Sequence, residues 1–289
     1  MIITAESGAS KTDWIADGRA FRTKGINFSV MSVKDITSVV AWAAAEIHSV
    51  HGAPSGPVRI YFYGAGIVSE EQAARMTGIL LDFFPGATVE CASDLLAAAR
   101  ALWGDSPGIV AILGTGSNSC SYNGSSITGN VRPGGYILGD EGGGAALGKR
   151  FMSDYVKGLV PENLAGKFRE RYPLKYSDIV NSVYRGQNPA GFLASFAPFI
   201  IEASYRDGYA GDLVRENIRS FITRSLLSYR KGGGTMQVGV AGSIGTACMN
   251  TIESLGKEYD IDFCKFITSP IEELAAYHSR KNSIFASGI

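Results

Sequence analysis

Two strand–turn–strand patterns, about 106 residues apart, constrain this chain more than any other feature. Ile2-Ile3-Thr4-Ala5 runs into Glu6-Ser7-Gly8-Ala9-Ser10-Lys11, and Thr12-Asp13-Trp14-Ile15-Ala16 alternates again. Ile109-Val110-Ala111-Ile112-Leu113 runs into Gly114-Thr115-Gly116-Ser117-Asn118, with a returning strand over 119–123. Apolar runs broken by a glycine turn and resumed in alternation read as hairpins. The same opening used twice predicts a duplicated α/β architecture.

The segments after each hairpin fit that plan. In the first half, Ile36, Val39, Val40, Ala43 and Ile47 share one stripe of a helix beginning at Asp35. Strands are expected over 58–63 and 87–91, the first followed by Ser69-Glu70-Glu71-Gln72, a capping box. The turn cluster Gly104-Asp105-Ser106-Pro107-Gly108 then marks a hinge. The second half inserts helices at roughly 143–158, 161–171, 177–186, 189–206 and 210–229. A strand over 236–241, a Gly-Ser turn, a helix, a strand over 263–268 and a last helix complete it. The domains expected are 1–107 and a larger 108–289, with the last helix docking back toward the first domain.

Glycine is the compositional signal that needs explaining. The chain has 36 in 289 residues, and 12 of them fall within 108–148. Proline stays at 10 and the apolar fraction at 45%, so neither collagen nor a disordered linker accounts for them. Clustered glycine in a globular chain instead suits backbone that closely approaches a ligand. Charge is balanced at 27 basic and 27 acidic residues, which argues against a nucleic-acid face or a polybasic membrane anchor. Cys91, Cys120, Cys248 and Cys264 are scattered, with no His at zinc-ligand spacing. No basic-then-apolar leader opens the chain, and no apolar run approaches a membrane span, so the expected location is the cytoplasm.

One glycine-and-hydroxyl turn is ordinary hairpin steric chemistry. Two of them, with Lys11 and Asn118 inside, point to backbone N–H groups converging on the phosphates of a nucleotide held between two domains. Asp13 reads as a surface charge and Trp14 as core. The run Gly143-x-x-x-x-Gly148-Lys149 imitates a P-loop, but Arg150 stands where the metal-binding Ser or Thr belongs, so we read it as a glycine-rich helix start. Asp94, after the strand ending in Cys91, is either a first-turn carboxylate favoured by the helix dipole or a general base at a strand's carboxyl end.

Taken in order, these elements resemble the sugar-kinase/Hsp70/actin superfamily, and within it the N-acetylglucosamine kinase branch grouped with the BadF/BadG/BcrA/BcrD ATPase family. Residues 6–13 look like its first phosphate motif, 114–118 like the second, and Val240-Ala241-Gly242-Ser243-Ile244 like the adenosine motif. Asp94-Leu95-Leu96-Ala97-Ala98-Ala99 resembles the element bearing the catalytic aspartate, and residues 134–142 resemble the sugar-contacting loop.

The resemblance implies an α/β fold of two actin-like (ribonuclease H-like) domains with a nucleotide/sugar cleft between them. It implies ATP and Mg²⁺ as cofactors and a small sugar as substrate. Asp94 would be the base. Asn27, Thr115, Asn118, Gly135 and Asp140 would contact sugar. Gly8, Ser10, Lys11, Thr12, Gly114, Thr115 and Gly116 would hold phosphates, and Gly242, Ser243 and Ile244 would face adenosine.

Glu6 departs from the aspartate usual in the first motif. If it orients Mg²⁺ through water, the extra methylene moves its oxygens by about 1 Å. Three readings follow: an amino-sugar kinase, most simply N-acetylglucosamine to its 6-phosphate; a BadF-type ATPase coupled to a partner; or a weakly active sugar-binding protein. A second copy of the chain stays open as a partner. The apolar residues of 189–229 are expected in core, as is Phe28, while Tyr136 fits either core or a sugar face. The missing cysteine motifs argue against iron–sulfur activation and against the zinc-bearing repressor/open-reading-frame/kinase branch. No helix-turn-helix module precedes residue 1, so a DNA-binding regulator is not expected.

Overall fold

A computed structural model of the chain describes residues 1–8, 11–28, 31–52, 54 and 56–287. It divides into two units, Met1–Asp105 with Ser269–Ile289, and Ser106–Thr268. The first contains β1 (Ile2–Ser7), β2 (Lys11–Ala16), β3 (Arg19–Lys24), α1 (Val33–His51), β4 (Arg59–Gly64), α2 (Glu70–Phe83), β5 (Thr88–Ser93) and α3 (Asp94–Trp103). The second opens with β6 (Pro107–Leu113), β7 (Ser117–Asn123) and β8 (Ile127–Val131). Its helices are α4 (Gly135–Leu138), α5 (Gly144–Val156), α6 (Glu162–Arg171), α7 (Tyr176–Tyr184), α8 (Pro189–Ala194), α9 (Ala197–Ser204) and α10 (Gly208–Arg224). It closes with β9 (Met236–Ala241), α11 (Ser243–Ala247), α12 (Met249–Glu258) and β10 (Ile261–Ile267). The last helix, α13 (Ile271–Ser287), belongs to the first unit.

The two sheets are the same sheet twice. The first has the order β3-β2-β1-β4-β5 and the second, read from its other edge, β8-β7-β6-β9-β10. In each, the first three strands form an antiparallel meander and the last two run parallel to the first strand. The third strands, β3 and β8, were not foreseen. Both are edge strands: Arg19–Lys24 alternates exposed and half-buried positions, and Ile127–Val131 carries a glycine and an asparagine. Charge on an edge blunts it against stray pairing, and it also removes the apolar signal of a strand.

Each unit has its own core. In the first, Trp14 stacks on Phe21 at 6.0 Å and tilts against Phe62, under the buried stripe Ile36, Val40, Ala43 and Ile47 of α1. Ser32 caps that helix, its Oγ accepting the Asp35 N–H, so that α1 begins at Val33, two residues earlier than expected. In α2, Ser69 Oγ accepts the Gln72 N–H while Gln72 Oε1 takes the Val68 N–H, so the return bond lands one residue before the cap. In the second unit Phe168 gathers Phe151, Phe196 and Phe199 around it. The expected helix 189–206 breaks between Ala194 and Ala197. Pro198 explains this: within a continuous helix its ring would strike the carbonyl four residues back. The apolar residues Phe196, Phe199, Ile200, Ile218 and Phe221 are buried in this core. No helix among the described residues is long and apolar enough to cross a membrane.

Candidate active site

In the first unit, β1, β4 and β5 run parallel and level, with Ser7 beside Gly64 and Gly64 beside Ser93. Whatever follows each strand therefore emerges at one sheet edge, the edge where open α/β sheets bind ligands. Gly8 follows β1 and its N–H closes the first turn onto Lys11 O at 3.0 Å. Ala65 follows β4, bonds to Ser7 O at 2.8 Å and bridges Asn27. Asp94 follows β5 as the first residue of α3, with Ser93 capping the helix through the Leu96 N–H. Glu6, Gly8, Asn27 and Asp94 are thus brought together on one edge. Ser10 lies outside the described residues.

That edge is acidic and poorly solvated. Burial pushes the Asp94 carboxyl above its usual range, against the pull of the Leu95 N–H and its own. Burial also raises Glu6, and the charges of Asp94 and Asp13 add to it, up to about 7; Lys11 opposes them. Asp13 is not a surface charge. It is 7% exposed and holds Lys11 at 2.5 Å and Arg22 at 2.6 Å. Burial works to raise its carboxyl, but those two cations outweigh it and hold Asp13 low. A lone carboxylate there would carry the full desolvation cost; paired with two cations it does not.

Thr12 braces the hairpin. It is fully buried, hydrogen-bonded to Ser7 Oγ at 2.6 Å and donating to Lys24 O at 3.0 Å. To donate to a phosphate, where it was expected, its hydroxyl would have to give up Lys24 O.

In the second unit the turn Gly114-Thr115-Gly116 joins β6 to β7, with Gly114 N–H on Gly116 O at 2.9 Å. Two of its carbonyls are bound by α5: Gly114 O accepts the Gly144 N–H and Thr115 O the Ala145 N–H, both at 2.8 Å. Oxygens that would repel a phosphate are occupied by the start of α5. Gly242 presses on the same turn. It has φ +115°, and a β-carbon there would lie 2.3 Å from Leu113 O. The 114–116 turn and the Gly242 turn are therefore one packed unit, possible only with glycine at 242. Ser243 is exposed. Ile244, expected to face adenosine, is buried in the core against Gly144.

Asp140 takes φ 62° and is 8% exposed. Its Oδ1 lies 3.4 Å from the Ser117 N–H, and burial pushes its carboxyl up while that N–H draws it down. Gly135, also at positive φ, begins α4 within the same loop, and Thr115 is half-buried. Asn118 Oδ1 accepts the Ser119 N–H and the Asn130 amide, both at 2.9 Å. Asn130, on the unforeseen β8, was missed because no motif marks it.

A solved structure from Porphyromonas gingivalis, of an inferred N-acetylglucosamine kinase, is 35% identical over 98% of this chain and 100% of its own, with TM-score 0.88. The chain belongs to the N-acetylglucosamine kinase-like family of sugar kinases. The doubled sheet is accordingly the actin-like domain pair of that superfamily. An inferred N-acetylglucosamine kinase from Chromobacterium violaceum shares the fold at 18% identity over 96% of this chain and 98% of its own, TM-score 0.73. So does a ROK family glucokinase from Streptomyces griseus, solved with glucose and AMPPNP, at 18% identity over 93% of each chain and TM-score 0.56. No protein-family model and no curated protein sequence matches the chain.

Within this N-acetylglucosamine kinase-like fold the P-loop imitation serves packing. The N–H groups of Gly144 and Ala145 are spent on the 114–115 turn. A β-carbon on Gly148 would lie 1.9 Å from Leu193 O, so this glycine lets α5 and α8 touch backbone to backbone.

Proposed function

We propose that this N-acetylglucosamine kinase-like chain transfers the γ-phosphoryl group of ATP to an amino sugar, with N-acetylglucosamine as acceptor and its 6-phosphate as product. The observation that carries the reading is Asp94: a half-buried carboxylate with its basicity raised, at the carboxyl edge of a parallel sheet, beside a second carboxylate at Glu6. A carboxylate of raised basicity suits a base working near neutral pH. Asp94 takes the proton of the sugar hydroxyl as its oxygen bonds to the γ-phosphorus, and the bond from that phosphorus to the bridging oxygen breaks to release ADP. Such transfer demands mainly positioning and charge neutralisation.

Asn27, Asn118 and Asp140 would hold sugar hydroxyls, with Thr115 and Gly135 alongside. Gly8, Ser10, Lys11 and the 114–116 turn would hold phosphates, and Gly242 and Ser243 would face adenosine. The residues present fit Mg²⁺, since a desolvated Glu6 beside Asp94 is stabilised by a hard cation, and Mg²⁺ commonly takes one or two protein carboxylates plus phosphates and water. When bound, it would neutralise charge on the transferring phosphates.

The ATPase reading has less support, because Asn27, Asn118 and Asp140 would supply sugar-hydroxyl ligands that an ATPase does not need.

The test is ADP release with N-acetylglucosamine, N-acetylmannosamine, N-acetylmuramate, glucosamine and glucose. N-acetylglucosamine is expected to give the highest kcat/KM, and Asp94→Asn to lower kcat by about 10²–10⁴ with sugar KM nearly unchanged. ATP turnover indifferent to every sugar would sink the kinase reading. Sugar binding without turnover, restored by Glu6→Asp, would assign a sugar-binding role instead.

A further inference from the structure

Lys149, the lysine of the P-loop imitation, has no part in that reading, yet it is not idle. From α5 its Nζ donates to Tyr136 O at 2.6 Å and lies 3.5 Å from Ile137 O, the carbonyls of the short helix α4. At the other end of the loop, Asn217 of α10 grips the backbone with both halves of its amide. Its Oδ1 accepts the Gly142 N–H at 3.0 Å and its Nδ2 donates to Gly143 O at 3.2 Å. Two turns further along α10, Arg224 pairs with Glu141 at 2.6 Å.

The segment between these grips makes few bonds of its own: the Asp140 N–H to Pro133 O at 3.0 Å, the Gly139 N–H to Gly135 O at 2.8 Å and the Gly143 N–H to Asp140 O at 2.9 Å. Residues 133–143 include five glycines, of which Gly134, Gly135 and Gly142 sit at positive φ. Such a segment has the most conformational freedom to lose on ordering. Packing offers the α4 turn little, although Gly142 and Gly143 are buried: Ile137 is 68% and Leu138 80% exposed, and of the α4 side chains only Tyr136 rests on the core. To these few bonds α5 and α10 add the side chains that reach the loop's backbone.

We infer that Lys149 and Asn217 are positioning residues for the sugar, clamping the two ends of loop 133–143 so that Gly135 and Asp140 are presented to the acceptor. The inference rests on the kinase reading above. It assigns the lysine of a nucleotide-like motif to the acceptor half of the reaction, consistent with α5 having spent its first N–H groups on the 114–115 turn.

Steady-state kinetics with ATP, Mg²⁺ and N-acetylglucosamine test it, on the full chain carrying Lys149→Met, Lys149→Arg or Asn217→Ala. Lys149 is exposed, so its variants keep the fold. Lys149→Met and Asn217→Ala are expected to raise sugar KM about tenfold, the scale of one or two lost hydrogen bonds, with ATP KM within about twofold. Lys149→Arg keeps a donor and should recover most of the loss. Hydrogen–deuterium exchange of 133–143 should quicken in the first two variants and not in the third. A raised ATP KM with unchanged sugar KM overturns the inference, as does an unchanged sugar KM or unchanged loop exchange. Wild-type chain inactive on every sugar overturns the kinase reading instead, and the exchange comparison then decides the clamp alone.

Discussion

Gly116 and Asp140 meet with no room for a side chain between them: a β-carbon on Gly116 would lie 2.7 Å from Oδ2 of Asp140 and 2.9 Å from its Cγ. Gly116 belongs to the turn proposed for phosphate and Asp140 to the loop proposed for sugar. The contact makes them one structure, so a change in the turn is felt by the carboxylate proposed to hold the acceptor.

Gly116→Ala should therefore act on the sugar first. The Asp140 carboxylate must swing aside, and its approach to the Ser117 N–H goes with it. Sugar KM is expected to rise about tenfold or more, with a stability loss of about 1–3 kcal/mol from overpacking. Kinetics beside a urea titration check this; an unaltered sugar KM would detach Asp140 from the acceptor.

Glu6→Gln separates stability from function. A carboxyl raised from 4.5 to about 7 keeps its proton in the folded chain where the unfolded chain has lost it, so stability falls as pH climbs through that window. With chelator present at pH 8, Glu6→Gln should be more stable than wild type by on the order of 2–3 kcal/mol. The same variant should need about tenfold more Mg²⁺ for half-maximal turnover, while Glu6→Asp should not. Titrating Mg²⁺ against initial rate reads the second effect.

His278 on α13 gives an acid limit. It is 3% exposed, hydrogen-bonded to Tyr63 Oη at 2.7 Å and stacked on Tyr61 at 3.6 Å. Burial, with the Arg100 charge, lowers it from 6.5 to about 3. Between those values the unfolded chain takes a proton that the folded chain refuses, so its contribution is intact above 6.5 and lost as pH falls. From pH 7 to pH 5 the cost is on the order of 2 kcal/mol. Denaturant midpoints should show a shallower fall for His278→Gln than for wild type.

Gly148→Ala tests the P-loop imitation from the side of packing. Its β-carbon would meet Leu193 O at 1.9 Å, forcing α5 and α8 apart. A loss of about 1–3 kcal/mol, or more, is expected in thermal unfolding. Nucleotide affinity, measured on the folded fraction, should stay near wild type.

Much of the framework is legible in the residues alone. Both hairpin turns, the Ser69 cap and the strand before Asp94 follow from glycine placement, capping chemistry and apolar runs, all of them local. The edge strands β3 and β8 were not legible, because edge pairing tolerates Arg19, Arg22 and Lys24, or Gly129 and Asn130, without apolar alternation. Asp13 was misread for a similar reason. A single aspartate looks like a surface charge until folding puts Lys11 and Arg22 on either side of it.

By itself the sequence determined the duplicated α/β plan, because glycine turns and apolar periodicity act over a few neighbouring residues, while the family and the residues worth testing came from the resemblance of its ordered motifs. Only the tertiary structure decided what those residues touch. It turned Thr12 and Ile244 inward, set Asp94 beside Glu6, and placed Lys149 on the backbone of α4 rather than in a P-loop. Desolvation, ion pairing and backbone contact join residues far apart in the chain, and no local pattern records which partner a side chain will meet.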